Sequence, residues 1–154
     1  TGQRWVEVDW GADAHDMPGV PSKAMKLSLD LLDALQTEFS IDAKRVYVTG
    51  LSMGGFGTWD ALQRRPVTFA AAIPVCGGGD PKMAQSFNHI PIWCFHGSAD
   101  TAVKVTRSRQ MIDALKASGG KPKYTEYEGV GHNSWAATYA NRDVLDWLFK
   151  QKRE

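Results

Sequence analysis

Arg45-Val46-Tyr47-Val48-Thr49 runs into Gly50-Leu51-Ser52-Met53-Gly54-Gly55, and the residues from Met53 to Arg65 carry a helical pattern stopped by Pro66. A strand therefore turns into a helix over one serine that has a glycine two residues away on each side. So sharp a turn forces its central residue into a strained backbone and lifts the side chain clear of the sheet. The residues two before and two after are pressed together and must be small, as Gly50 and Gly54 are, while Gly55 lets the helix approach the strand closely. The new helix aims its free N–H groups and the positive end of its dipole at the serine. Ser52 is the candidate nucleophile. Alone, the five-residue pattern is weak, and a plain turn serine is its bland alternative, so the surrounding chain has to decide.

Working outward, Phe69 to Cys76 is continuously apolar apart from Pro74 and is closed by Gly77-Gly78-Gly79, and Ile90 to Phe95 is a second unbroken run ended by His96-Gly97. Continuous apolar runs suit strands covered on both faces, as in a parallel sheet. Upstream, Ser22 is a plausible N-cap, and Ala24, Leu27, Leu31, Leu35 and Phe39 recur at helical spacing. Downstream, Arg107 to Ser118 reads as a helix ending at Gly119-Gly120, Lys123 to Tyr127 as a fourth strand, and Asn141 to Lys150 as a last helix. At the start, Trp5 to Trp10 alternates as a short strand does, and Gly11 to Val20 reads as a loop. A helix followed by alternating strands and helices predicts an α/β fold with a mainly parallel sheet flanked by helices, in one domain over residues 1–154.

A nucleophilic serine needs a base, and the base needs an orienting carboxylate. Phe95-His96-Gly97-Ser98-Ala99-Asp100 leaves the end of one buried strand, and Gly129-Val130-Gly131-His132 follows the next. Asp100 and His132 thus emerge at the carboxyl ends of successive parallel strands, the edge from which Ser52 projects and where open α/β sheets bind ligands. The chain order Ser, Asp, His suits this architecture. Blander readings stand beside these. Asp100 is also placed to cap a helix before Val103, Asp113 is the fallback acid although it lies mid-helix, and His132 fits a surface loop. His96 reads as a satisfied structural histidine and His89 as exposed. His15 with Asp13 and Asp16 has the residue types of a metal site, but such spacing in a loop is common, and no metal is expected. Trp59, Trp93 and Trp147 read as core. Trp135, three residues beyond His132, and Trp10 in the irregular opening segment are candidate substrate-contacting residues.

Composition narrows the classes. The 154 residues are 43% hydrophobic and 23% charged, and 18 basic residues against 17 acidic ones leave a net charge of +1 with the signs interspersed. No nucleic-acid footprint and no membrane anchor is expected from that balance. No apolar run approaches the roughly 18 residues of a membrane span. Cys76 and Cys94 lie in apolar runs and read as buried, inert thiols.

The motifs Gly-Leu-Ser-Met-Gly-Gly, His-Gly-Ser-Ala-Asp and Gly-Val-Gly-His-Asn-Ser-Trp together resemble the serine, acid and histidine motifs of α/β-hydrolase esterases. The nearest group is that of dienelactone hydrolase, feruloyl and acetyl esterases and the "predicted peptidase" lineage, and the likeness spans residues 22–150. The resemblance implies Ser52 as nucleophile, His132 as general base and then acid, Asp100 as its orienter, and the backbone N–H of Met53 as an oxyanion donor. It implies a serine carboxylester hydrolase working through an acyl-enzyme without a cofactor, on a small-molecule or polysaccharide-linked ester, and a secreted or periplasmic location. Peptide hydrolysis and a catalytically silent partner subunit are the alternatives. One departure matters. In that fold several strands precede this region, and a loop after an early one supplies the second oxyanion N–H, whereas this chain has no such segment before Ser52, and Gly77-Gly78-Gly79 comes too late to replace it. The chain opens Thr-Gly-Gln-Arg-Trp without an initiator Met or a leader pattern. The expectation is a C-terminal portion of a larger fold, with the Ser52 strand at an open edge that pairs with a missing N-terminal segment or in a homo-oligomer.

Overall fold

The structure is a computed structural model and describes residues 4–154, so the first three residues of the opening lie outside it. Four parallel strands form one sheet in the order β1-β2-β3-β4. These are β1 (Tyr47–Leu51), β2 (Ala71–Val75), β3 (Trp93–Gly97) and β4 (Lys123–Tyr127). Six α-helices surround them: α1 (Lys23–Glu38), α2 (Met53–Arg64), α3 (Ala84–Phe87), α4 (Thr106–Ala117), α5 (Ser134–Ala140) and α6 (Arg142–Lys150). No helix among the described residues is long and apolar enough to cross a membrane.

Both faces of the sheet are covered, which explains the continuous apolar runs. Val48, Ala72, Cys94 and Tyr124 pack with Trp59, Leu62, Phe87, Met111 and Ile112 from α2, α3 and α4. On the other face Tyr47, Ile73, Val75, Phe95 and Tyr127 pack with Trp135, Tyr139, Val144 and Leu148 from α5 and α6. Pro74 sits inside β2, an inner strand. Ala72 N–H donates to Pro91 O and Cys76 N–H to Phe95 O, so the donor due between them falls on a residue without an N–H. The β2–β3 ladder is accordingly thin, with Val75 facing Phe95 and one further bridge from Ala72 to Ile92.

β1 is an edge strand, as the sequence led us to expect, and its outer edge has no strand partner among the described residues. Two other expectations fail. Residues 5–10 form no strand. Trp5 instead lies against α2, where a Cβ on Gly57 would stand 2.7 Å from the Trp5 Cβ, and Val6 is buried with Phe56. The opening segment is a strap across a helix, and its alternation records which side chains meet that helix. In α1, Ser22 caps the first turn by accepting from Met25 N–H, but the core-facing line is Met25, Leu29 and Leu32. Leu27, Leu31 and Phe39, the repeat that marked the helix, are exposed, because α1 leans on α2 beside the sheet edge and only one flank reaches the core.

Candidate active site

Ser52 follows β1 directly and has φ 52°, in the left-handed region that costs a residue with a Cβ about 1–2 kcal/mol. The cause is the close approach anticipated from the glycines: a Cβ on Gly50 would lie 2.3 Å from Gly54 O. Ser52 occupies the N-cap position of α2, yet its side chain makes no capping hydrogen bond, so Oγ is free to point elsewhere. It points at His132, whose Nε2 is 2.9 Å away. The amide of Met53, first residue of α2, belongs to the helix turn whose N–H groups have no intrahelical acceptor.

His132 Nδ1 stands 2.8 Å from Oδ2 of Asp100, whose side chain is fully buried while that of His132 is 28% exposed. The loops carrying these residues touch backbone to backbone. A Cβ on Gly97 would lie 2.2 Å from Val130 O, Ser98 N–H donates to Tyr127 O, and Ala99 N–H donates to Val130 O. Gly129 takes φ 68° to turn the second loop back. Asp100 caps no helix, since α4 begins at Thr106, but it closes a turn with one oxygen and faces the histidine with the other. Oδ1 accepts from Ala102 and Val103 N–H at 2.8 and 2.9 Å, and Oδ2 faces the histidine. Burial pushes this carboxyl up, but the hydrogen bonds from His132 and from the two amides outweigh it and hold Asp100 below the ordinary carboxylate range. An ionised acid beside Nδ1 favours the tautomer whose Nε2 accepts a proton from Ser52.

Trp135 packs edge-on against the His132 ring, with centroids 5.1 Å apart at 88°. Trp10 stacks on Phe56 at 5.6 Å and joins the Val6, Phe56 and Val103 cluster. An apolar cavity of about 650 Å³ reaches Ser52 and is lined by Trp5, Leu29, Leu32, Val48, Leu51 and Met53 among others. His15 does not gather Asp13 and Asp16 around it. Those carboxylates pair with Lys104 and Lys82, each at 2.7 Å, and His15 meets the Arg107 guanidinium. Burial, followed by the charge of Arg107, pushes the His15 pKa down to about 4.

Two neighbours of the site were not recognised from sequence. Cys76 lies opposite Ser52 at the end of β2, with φ 41°, and its Sγ accepts from Ser52 N–H at 3.2 Å. Burial pushes this thiol up to about 11. Its Sγ, an Asp100 oxygen and a His132 nitrogen lie within 4.8 Å of one another, the only such His, Cys and carboxylate group among the described residues. His96 is fully buried and places Nε2 3.2 Å from Asp100 Oδ2. The spacing of four residues between His96 and Asp100, across a tight turn, is the signal that would have raised the question.

Residues 13–147 match the model of the dienelactone hydrolase family. Poly(3-hydroxyalkanoate) depolymerase C of Paucimonas lemoignei is 46% identical over 114 residues, covering 74% of this chain and 27% of that protein. The bifunctional acetylxylan esterase/xylanase XynS20E of Neocallimastix patriciarum is 34% identical over 90 residues, covering 58% of this chain and 13% of that one. Among solved structures, a thermostable esterase superposes with a TM-score of 0.86 at 44% identity, over 90% of this chain and 39% of its own. The chain spans well under half the length of each.

Proposed function

The chain belongs to the dienelactone hydrolase family, and from that membership we propose that it hydrolyses carboxylic esters with Ser52 as nucleophile, His132 as general base and acid, and Asp100 as the orienter of His132. The observation that carries the reading is the relay of 2.9 Å and 2.8 Å contacts from Ser52 Oγ through His132 to Asp100, assembled at the carboxyl ends of three parallel strands. Ser52 Oγ gives its proton to His132 Nε2 as it attacks the ester carbonyl, and Asp100 stabilises the imidazolium that forms. The carbonyl oxygen becomes an oxyanion that accepts from Met53 N–H at the start of α2. His132 then returns the proton to the departing alkoxide, leaving an acyl-serine. A water gives its proton to the same nitrogen, attacks the acyl carbon, and releases the acid as Ser52 recovers its hydrogen.

For the substrate we propose an ester carried on a polymer. Two relatives bear names of that kind, an acetylxylan esterase/xylanase and a poly(3-hydroxyalkanoate) depolymerase. The nucleophile is also reachable without a deep shaft: Ser52 is half-buried between the exposed Leu51 and Met53.

Intact mass after exposure to a fluorophosphonate, with turnover of a p-nitrophenyl ester, tests the assignment. The expected result is a single adduct on the native chain, none on Ser52→Ala, and a fall in turnover of at least about 1,000-fold in that variant. A folded native chain that takes no adduct would overturn the reading and favour a silent module.

A further inference from the structure

The buried face of Asp100 holds a second histidine. His96 ends β3 with no exposed surface. Its Nε2 faces two acceptors, Val103 O at 3.0 Å and Asp100 Oδ2 at 3.2 Å. A ring nitrogen set against two oxygens must carry the proton, since a lone pair there would meet only lone pairs. Its Nδ1 meets Ser108 Oγ of α4 at 2.7 Å, and the same hydroxyl reaches Gly77 O at 3.0 Å. Burial disfavours the charged ring, so His96 is held as the neutral Nε2–H tautomer, and Nδ1 at 2.7 Å then competes with Gly77 O at 3.0 Å for the single Ser108 proton. Around it stand Asp100 and His132 from the loops after β3 and β4, and Glu126, its register partner on β4, which is itself paired with Arg109.

The Asp100 carboxylate thus receives three hydrogen bonds and has a further N–H beside it, since His96 Nε2, bonded to Val103 O, stands 3.2 Å from Oδ2. Two backbone amides hold Oδ1 and His132 Nδ1 meets Oδ2, while His96 Nε2 lies against the buried side of the same Oδ2. The amides alone leave the carboxyl free to tilt about its Cβ–Cγ bond. A donor on Oδ2 from the side opposite solvent closes that freedom, and it is anchored at its other end to α4.

We propose that His96 is a positioning residue for hydrolysis: its Nε2–H fixes the Asp100 carboxylate in the orientation that presents Oδ2 to His132. The inference rests on the catalytic reading given above and adds a fourth member to the relay, with Ser108 at the other ring nitrogen of that member. Misplacing a catalytic group by a fraction of an ångström to 1 Å costs roughly 10- to 100-fold in rate.

The test is a double-mutant cycle on the full chain, read as kcat and KM for p-nitrophenyl acetate and as the rate of fluorophosphonate labelling of Ser52. His96→Leu removes the donor, and His96→Gln keeps an N–H near the place of Nε2. His96→Leu is expected to lower kcat and the labelling rate by about 10-fold, with KM changed by less than about 2-fold, and His96→Gln to recover most of the loss. In an Asp100→Asn background His96→Leu should cost nothing further, because the carboxylate it positions is gone. An equal loss in both backgrounds would mean that His96 only packs, and no loss in the native background would mean that Asp100 needs no second donor. Either result overturns the proposal. Where His96→Leu does not fold, Ser108→Ala carries the same cycle: a rate loss confined to the background with Asp100 supports the proposal, and an unchanged rate refutes it. A native chain that never labels at Ser52 would instead bring down the catalytic reading, which keeps the two failures apart.

Discussion

β1 and β2 end side by side, Leu51 opposite Val75, and the next residue on each strand, Ser52 and Cys76, has a positive φ. These are the only two such non-glycine residues among the described ones. Their turns are interlocked. A Cβ on Gly55 would stand 2.3 Å from Val75 O, one on Gly77 would stand 2.5 Å from the Gly55 carbonyl carbon, and Ser52 N–H reaches both Val75 O and Cys76 Sγ. Yet the surroundings of the two turns differ. Ser52 is half-exposed and its hydroxyl faces a histidine backed by an ionised acid, whereas Cys76 is sealed and burial keeps its thiol protonated with a pKa of about 11. Backbone strain therefore marks where two turns crowd each other. What distinguishes the residue proposed as nucleophile is a base within reach and an open approach.

The largest effect that separates the two turns is reactivity of sulfur at each position. Ser52→Cys places a thiol against His132, and iodoacetamide at pH 8 is expected to modify it about 1,000-fold faster than Cys76, whose thiolate fraction stays small until the pH nears 11. Peptide mapping over time measures both rates in one sample, and comparable rates would erase the distinction. A smaller effect lies in the contact between the turns. Gly55→Ala drives a methyl into the Val75 carbonyl and is expected to cost about 3 kcal/mol, read as a lower denaturant midpoint at unchanged slope. A midpoint within error of the native value would show that the turns can part cheaply. The smallest effect is expected at Cys76→Gly, which relieves the positive φ and gives up a buried sulfur. These oppose each other at about 1 kcal/mol each, so the melting temperature should move by only a few degrees and ester turnover by less than about 3-fold. A large loss of turnover with intact folding would put Cys76 into the chemistry.

Much of the site was legible because its signals are local. Gly50 and Gly54 flank Ser52 for a reason that a five-residue window contains, and β4 lies over Lys123–Tyr127, where the strand was read. The course of α1 was read correctly but its inward face was not, since Leu27 and Leu31 repeat as regularly as Met25 and Leu29. Periodicity reports that a helix has an apolar stripe and is silent on which neighbour will meet it. α5 was missed because Ser134–Ala140 is short and has no side-chain cap. The strand expected over residues 5–10 had the right alternation, but Trp5 and Val6 pack against α2 instead.

The sequence by itself determined the order of the four sheet strands, the parallel sheet, and the three residue types that leave its carboxyl edge, because each is set by patterning within one element or one turn. Only the tertiary structure decided that Asp100 turns one oxygen to two amides and the other to His132 with His96 3.2 Å behind it, that Cys76 sits sealed behind Ser52, and that Trp10 packs on Phe56 while Trp135 meets His132. Those relations join residues from different strands and loops. Their distances depend on how the loop after β3 lies against the loop after β4, an approach that a glycine at position 97 permits and that no single stretch of sequence displays.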